Sequence, residues 1–399
     1  MHVHITKLAD SAARQSKYII GLMSGTSLDG LDIALCRISG HGRATKIEVL
    51  QFTTCDYPKE VKDKIRTVFA KPHVDLAYLT LLNGWLGRYH GQLVIQALTQ
   101  WQVDSKDIDV IASHGQTIYH CPAHQHQYSE FGDGTLQIAD ADHIAVTTGI
   151  TTLSDFRQKH IAAGGEGAPL AHYGDYYYFS SDSEHRILLN MGGIANLTWL
   201  PKGAKFNEVV CSDIGAGNTI MDAYMYRYCA QEYDKNAQLA LQGRIHHELL
   251  AQLMSEPFIN RLGPKTTGPE VFNLAMLAKA QARSGTCSLS HMDVMATLNA
   301  FSARVIAKYI NNLVEDEPVT IYASGGGYHN PLLVKQIKEA LNENFVLASS
   351  TELGIDPDAK EAVLFAILAN EALSGESDQV QAAAQGKPMV TMGKVSFPD

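Results

Sequence analysis

No two of the six cysteines, Cys36, Cys55, Cys121, Cys211, Cys229 and Cys287, stand in a C-x-x-C pair. That spacing excludes a dithiol redox motif and points to a reduced, cytoplasmic protein. No stretch approaches the roughly 18 apolar residues of a membrane span, and the segment Met1 to Lys17 lacks the apolar core of a signal peptide. Basic residues are outnumbered, 32 Lys and Arg against 42 Asp and Glu, for a formal net charge of −10. A surface of that sign repels polyanions and argues against nucleic acid or an anionic membrane as the main partner. A Walker phosphate loop is also missing, because Gly-Lys occurs at Gly386-Lys387 and Gly393-Lys394 with no Ser or Thr after it. No G-x-G-x-x-G follows the first expected strand, which excludes the usual dinucleotide fold.

What is present is an ordinary globular composition, 45% hydrophobic and 19% charged over 399 residues. That length predicts roughly two to three domains. One order of elements occurs twice. Tyr18 to Met23 reads as a buried strand, Ser24 to Gly30 as a turn, and Leu31, Ile33 and Leu35 as the alternating face of a returning strand. Lys46 to Thr53 gives a third strand, and after a helical region Ile108 to Ser113 runs into His114-Gly115-Gln116-Thr117. In the second half Ile187 to Met191, Gly192-Gly193 and Ile194 to Leu200 repeat the hairpin. Glu208 to Cys211 then leads to Asp213-Ile214-Gly215-Ala216-Gly217-Asn218, and Val319 to Ala323 runs into Ser324-Gly325-Gly326-Gly327. Two lobes of this kind imply a symmetric cleft, with glycine turns whose backbone N–H groups can hold phosphates.

The turn Ser24 to Asp32 combines glycines, hydroxyls and carboxylates. Glycine lets backbone approach phosphate, hydroxyls donate to its oxygens, and a carboxylate such as Asp29 can hold Mg²⁺ directly or through water. A plain polar hairpin has the same look. Asp213 closes a strand and is placed to deprotonate an attacking oxygen or hold metal, and it equally suits an Asx turn or helix N-cap. Arg157 can clamp a carboxylate or phosphate with parallel bonds, or pair with Asp155 as a hinge lock. Pro264 to Glu270 suits a substrate loop or an ordinary surface loop. Glu361, in a first helical turn, meets the helix dipole whatever else it does. His120, His124 and His126 show neither the fourth ligand nor the spacing of a zinc site.

The segment Gly21-Leu22-Met23-Ser24-Gly25-Thr26-Ser27-Leu28-Asp29-Gly30-Leu31-Asp32 resembles the opening motif of the anhydro-N-acetylmuramic acid kinases. Ser113 to Thr117, Asp155-Phe156-Arg157 with Gly164 to Leu170, Asn190 to Gly193, Asp213 to Asn218 and Gly325 to Gly327 follow in that family's order. The resemblance runs from Lys17 to the C-terminus. It implies an α/β protein of two duplicated lobes of the actin-like ATPase (ribonuclease H-like) fold around a central nucleotide cleft. Residues 17–150 with 375–399 would form the first lobe, 151–374 the second, and 1–16 a flexible extension.

The implied reaction opens the 1,6-anhydro bridge of anhydro-N-acetylmuramic acid with water while phosphorylating the freed O6 from ATP, in bacterial cell-wall recycling. Asp213 then matches the general base. Gly25, Thr26, Ser27, Leu28, Asp29, Gly30, Leu31 and Asp32 match the ATP-phosphate segment, with Asp29 toward Mg²⁺. Gly192, Gly193, Gly325, Gly326 and Gly327 fall to the nucleotide in the second lobe. Glu361 aligns with a carboxylate associated with sugar binding, and His114, Gln116 and Arg157 join it, Arg157 toward the lactyl carboxylate. A homodimer is expected on the same grounds. Two rivals stand beside this reading: a conventional sugar kinase of the same fold, and an ATP-driven binding module, which would need a peptide-binding domain that the chain has little room for.

Overall fold

Tyr18 to Met23 lie in β1 (Ser16–Ser24), whose residues from Ile19 onward are all buried. It pairs antiparallel with β2 (Gly30–Ser39), and β2 with β3 (Lys46–Asp56). β4 (Val110–Cys121) lies parallel to β1 on its other side, followed by β6 (Thr152–Ser154) parallel to β4. β5 (Gly134–Ile138) pairs with the second half of β4, and β12 (Lys394–Ser396) closes the edge against β6. The structure is a computed structural model and describes residues 2–167, 170–261, 263–314, 317–354, 356, 359–375 and 390–399.

The second sheet has the same plan. β7 (His185–Met191), β8 (Ile194–Leu200) and β9 (Val210–Ala216) form the antiparallel set. β10 (Val319–Ser324) lies parallel to β7, and β11 (Phe345–Ser349) parallel to β10. The strand order β11-β10-β7-β8-β9 is the order β6-β4-β1-β2-β3 of the first sheet. The duplication expected from the sequence is thus a duplication of topology, with parallel strands reached by helical crossovers as such connections require.

Each sheet belongs to its own compact unit, one of Met1–Tyr178 with Asp358–Asp399 and one of Phe179–Pro357. Each unit has its own apolar core, built on Ile20, Leu22, Ile33 and Ile111 in the first and on Ile187, Leu189, Ile214 and Ile321 in the second. The boundaries differ from the expected 150/151 and 374/375. β6 and β12 are strands of the first sheet, and the helix Lys360–Ser374, buried from Ala362 to Glu371, lies against β1. Arg157 and Glu361 therefore belong to the first unit, not the second.

Gly21 shows how close that helix comes. A Cβ there would stand 1.9 Å from the Ala362 carbonyl oxygen, so the strand can carry no side chain at this point. The first sixteen residues also differ from expectation. They form a helix, Val3–Ala13, rather than a frayed extension, and its Ser11 and Arg14 side chains both donate to Asp109 Oδ1 at 2.8 Å. Of the 371–387 segment, 376–387 lie outside the described residues. Among the described residues no helix is long and apolar enough to cross a membrane.

Candidate active site

In the first unit the Ser24 to Gly30 turn joins β1 to β2. Leu28 and Leu31 are buried in the core, so they offer a ligand backbone alone, whereas Thr26, Ser27 and Asp29 are exposed. A Cβ on Gly25 would meet nothing nearer than Ser27 Oγ at 3.7 Å, which leaves the Gly25 backbone open to a phosphate-sized group. Gln116, buried, donates from Nε2 to the Gly25 carbonyl at 3.1 Å and accepts from Ser24 Oγ at 2.6 Å. The S-H-G-Q-T motif does not end its strand as expected. β4 continues through it to Cys121, because β5 supplies a partner for Gln116 to Cys121, with Gly115 at φ +76° and a register shift absorbing the bend.

His114, also in β4, is buried, and its Nε2 accepts from Arg157 Nε at 2.9 Å. Burial, then the Arg157 charge, holds the His114 imidazole well below its usual range, so it stays neutral. Arg157 Nη1 donates to the Gly167 carbonyl at 2.7 Å, and the Gly167 N–H donates to His160 Nδ1 at 2.8 Å. The glycine segment after the helix Phe156–Ala162 thus folds back over that helix; a Cβ on Gly165 would stand 2.1 Å from His160 Cε1. Ala168 and Pro169 of this motif lie outside the described residues. Asp155 does not pair with Arg157: it pairs with Lys394.

Glu361 is solvent-accessible in the first turn of its helix, and desolvation still holds its carboxyl above the usual range. Lys360 and Arg157 oppose that shift and Asp32 adds to it. Asp32 is half-buried, with Thr54 Oγ1 donating to its Oδ1 at 2.6 Å. Among the described residues no group of three or more His, Cys, Asp and Glu is placed to hold a metal ion. Mg²⁺ on a nucleotide requires only one or two carboxylates beside phosphates and water, and the exposed Asp29 fits that modest demand.

The second unit brings its three glycine motifs together. The N–H groups of Gly217 and Asn218 donate to the carbonyls of Gly193 and Gly192, each at 2.9 Å, and Thr219 N–H to Gly193 at 3.0 Å. Gly325, at φ +83°, stands where a Cβ would lie 2.6 Å from Asn190 Oδ1. At Gly217 and Gly325 these contacts leave room for backbone alone.

Asp213 lies within β9, which runs on to Ala216 instead of closing at Asp213. It is half-buried, and its Oδ2 accepts from Thr267 N–H at 2.9 Å. Its own N–H donates to the Lys265 carbonyl at 2.9 Å, and the N-cap of the following helix, Thr219–Tyr224, is Asn218. Burial raises the Asp213 carboxyl above its ordinary value; the Thr267 N–H opposes this and the Glu270 charge adds to it. The loop Pro264 to Glu270 therefore sits on Asp213. Lys265 holds the loop from its other end, donating from Nζ to the Phe258 carbonyl at 2.9 Å and lying 4.4 Å from the Phe258 ring centroid. Composition marked this loop as polar, and no local signal tied it to Asp213, since the pairing spans 54 residues of sequence.

The family model described as anhydro-N-acetylmuramic acid kinase matches residues 17–398. The chain belongs to this family. A relative of that name from Pseudoalteromonas atlantica is 60% identical over the whole of both chains. Another from Caldanaerobacter subterraneus is 37% identical, over 96% of this chain and 98% of its own. Among solved structures, the activator of the 2-hydroxyisocaproyl-CoA dehydratase from Clostridium difficile with bound ADPNP is similar with a TM-score of 0.41 at 10% identity, over 92% of this chain and 100% of that one. Every motif carrying the resemblance to the anhydro-N-acetylmuramic acid kinases lies between residues 17 and 398, and the helix Val3–Ala13 lies outside the match.

Proposed function

We propose that this member of the anhydro-N-acetylmuramic acid kinase family opens the 1,6-anhydro ring of anhydro-N-acetylmuramic acid with water and transfers the ATP γ-phosphoryl group to O6. The products are N-acetylmuramic acid 6-phosphate and ADP. The observation that carries the assignment of roles is the carboxylate of Asp213, oriented by the Thr267 N–H and held above its ordinary pKa. A base of raised pKa is suited to take a proton in the transition state.

Asp213 takes a proton from water as the water oxygen bonds to the anomeric carbon. The C1–O6 bond breaks, its electron pair stays on O6, and O6 attacks the γ-phosphorus as the bond to ADP breaks. Charge leaves the water and ends on ADP without a free alkoxide. The Gly25 to Asp32 turn and the glycine turns at Gly192-Gly193 and Gly325 to Gly327 hold nucleotide through backbone N–H groups. Asp29 would hold Mg²⁺, which when bound neutralises phosphate charge. Arg157, with Nε and Nη1 already bonded, keeps Nη2 for the lactyl carboxylate, beside His114 and Glu361 at the sugar. We place the protein in the cytoplasm, in keeping with its six free cysteines, and as a homodimer by family likeness.

The anhydro sugar has no free O6 hydroxyl, so phosphorylation at O6 requires ring opening. A coupled ADP assay should show turnover of anhydro-N-acetylmuramic acid far above that of ordinary amino sugars, with one solvent ¹⁸O at the anomeric carbon of fresh product. Equal turnover of sugars with a free 6-hydroxyl would favour the conventional kinase, and ADP release indifferent to sugar the binding module.

A further inference from the structure

We propose that Tyr57, backed by His90, fixes the shape of the Ser24 to Gly30 turn and thereby its affinity for nucleotide phosphates. Tyr57 follows β3 directly and holds the turn at both ends. Its N–H donates to the Asp29 carbonyl at 2.8 Å, and its hydroxyl donates to Ser24 Oγ at 3.0 Å. Beyond Tyr57, the turn is held by Ser24 Oγ, 3.1 Å from the Gly30 carbonyl, and by Gln116 Nε2 on the Gly25 carbonyl. Leu28 sits at φ +60°, a conformation unfavourable for leucine, and the backbone bond within the turn, Leu28 N–H to the Gly25 carbonyl, is 3.3 Å long.

Proton accounting gives the network one direction. Gln116 Oε1 at 2.6 Å and the Gly30 carbonyl at 3.1 Å can both only accept, so the Ser24 hydroxyl spends its one proton on that side, on the nearer Gln116. The 3.0 Å contact between Ser24 and Tyr57 then needs the Tyr57 proton. Tyr57 in turn must receive from His90 Nε2, 2.6 Å away, which puts the imidazole hydrogen on Nε2 and leaves Nδ1 bare. His90 Nδ1 is buried with no hydrogen-bond partner among the described residues, a place that suits a bare nitrogen better than an N–H. Donation therefore runs from His90 to Tyr57, Ser24 and Gln116, and Gln116 Nε2 ends the chain on the Gly25 carbonyl. All four side chains are buried. Burial keeps Tyr57 protonated and pulls His90 down to about 3, so the direction holds at any working pH.

Tyr57 and His90 touch no ligand; they are positioning residues. A turn already held in its binding shape spends less of its binding free energy on ordering. The inference rests on the proposal that this turn holds the ATP phosphates. Tyr57→Phe keeps the ring and removes the hydroxyl. Losing a buried hydrogen bond of this kind should raise KM for ATP and the Kd of a β,γ-imido ATP analogue about tenfold. The same variant should leave kcat at saturating ATP and KM for sugar within about twofold, since neither depends on nucleotide affinity. His90→Leu should reproduce part of that rise, whereas His90→Gln, whose amide can donate from nearly the same place, should restore it toward wild type.

Gly25→Ala separates this inference from the reading beneath it. The position has room for a methyl group, and that methyl would occupy the surface offered to phosphate. If Gly25→Ala weakens the analogue while Tyr57→Phe and His90→Leu do not, the positioning role of Tyr57 is wrong and the phosphate role of the turn stands. If Gly25→Ala leaves analogue affinity unchanged, the phosphate reading of the turn fails. A Tyr57→Phe variant that melts lower and loses kcat with KM for ATP unmoved would make Tyr57 a stability residue and overturn the proposal. Should Tyr57→Phe not fold, the contrast of His90→Leu with His90→Gln decides alone.

Discussion

Thr267 donates its backbone N–H to Asp213 Oδ2 at 2.9 Å, and so fixes the rotamer of the carboxylate from a loop 54 residues away. Asn at position 213 can still accept that bond through its amide oxygen, so Asp213→Asn should fold normally. It cannot take a proton from water. Turnover should fall by about a hundred- to ten-thousand-fold, the usual contribution of one general base. Calorimetric Kd values for the sugar and for an ATP analogue should stay within about twofold of wild type on the same reasoning. Near-normal turnover would remove Asp213 from the role.

Arg157 spends Nε on His114 and Nη1 on the Gly167 carbonyl, a fork that lysine cannot reproduce. Arg157→Ala should weaken sugar binding by roughly ten- to a hundredfold, the value of a charge-assisted hydrogen bond. Arg157→Lys should recover little of it. A sugar analogue lacking the lactyl carboxylate should bind wild type and Arg157→Ala with equal affinity. Unchanged sugar Kd in Arg157→Ala would sink the assignment.

Much of the fold was legible because both hairpins announce themselves by alternation and glycine turns, and the repeated order survives as repeated strand order. The motif residues were legible through resemblance more than through chemistry. Boundaries were not, since β6 is three residues long and joins the first sheet by pairing with β4 and β12, partners far off in sequence. Tyr57, His90 and Thr267 were missed for a related reason. Tyr57 reads as a core aromatic, and His90 as one polar residue on the apolar face of the helix Leu76–Trp101. Their meaning lies in buried hydrogen bonds to Ser24 and Asp213, which periodicity does not encode.

Gly21 is a strand position that hydrophobic patterning treats as neutral, yet the Ala362 carbonyl leaves it no space. Gly21→Ala must push the helix Lys360–Ser374 off β1. Overpacking a buried contact typically costs about 1–3 kcal/mol, and here the obstacle is backbone, which yields least. Thermal unfolding should show a fall in Tm of several degrees, of the order expected for such a loss in a domain of this size. Because Glu361 lies in the first turn of the displaced helix, sugar KM should rise with it. An unchanged Tm would mean that strand and helix can part without cost.

Glu270 raises the Asp213 pKa through its charge, in the same direction as burial, while the Thr267 N–H lowers it. A base works when ionised, so the acid limb of kcat/KM should fall at the Asp213 pKa, above the ordinary aspartate range. Glu270→Gln removes the opposing negative charge and eases ionisation, so that limb should move to lower pH. Screening by solvent keeps the shift small for an exposed neighbour such as Glu270. The alkaline limb and the plateau rate should stay in place, because Asp213 is already ionised there. Asp213→Asn, which cannot ionise, should lose the acid limb altogether in its residual activity. The raised pKa also costs stability: the folded state binds the Asp213 proton more tightly than the unfolded chain, so its carboxylate opposes folding above that pKa and ceases to as pH falls through it. Asp213→Asn should accordingly melt slightly higher than wild type at pH 7 and show no such gain at pH 3. An acid limb that stays fixed in Glu270→Gln would mean that some group other than Asp213 sets it.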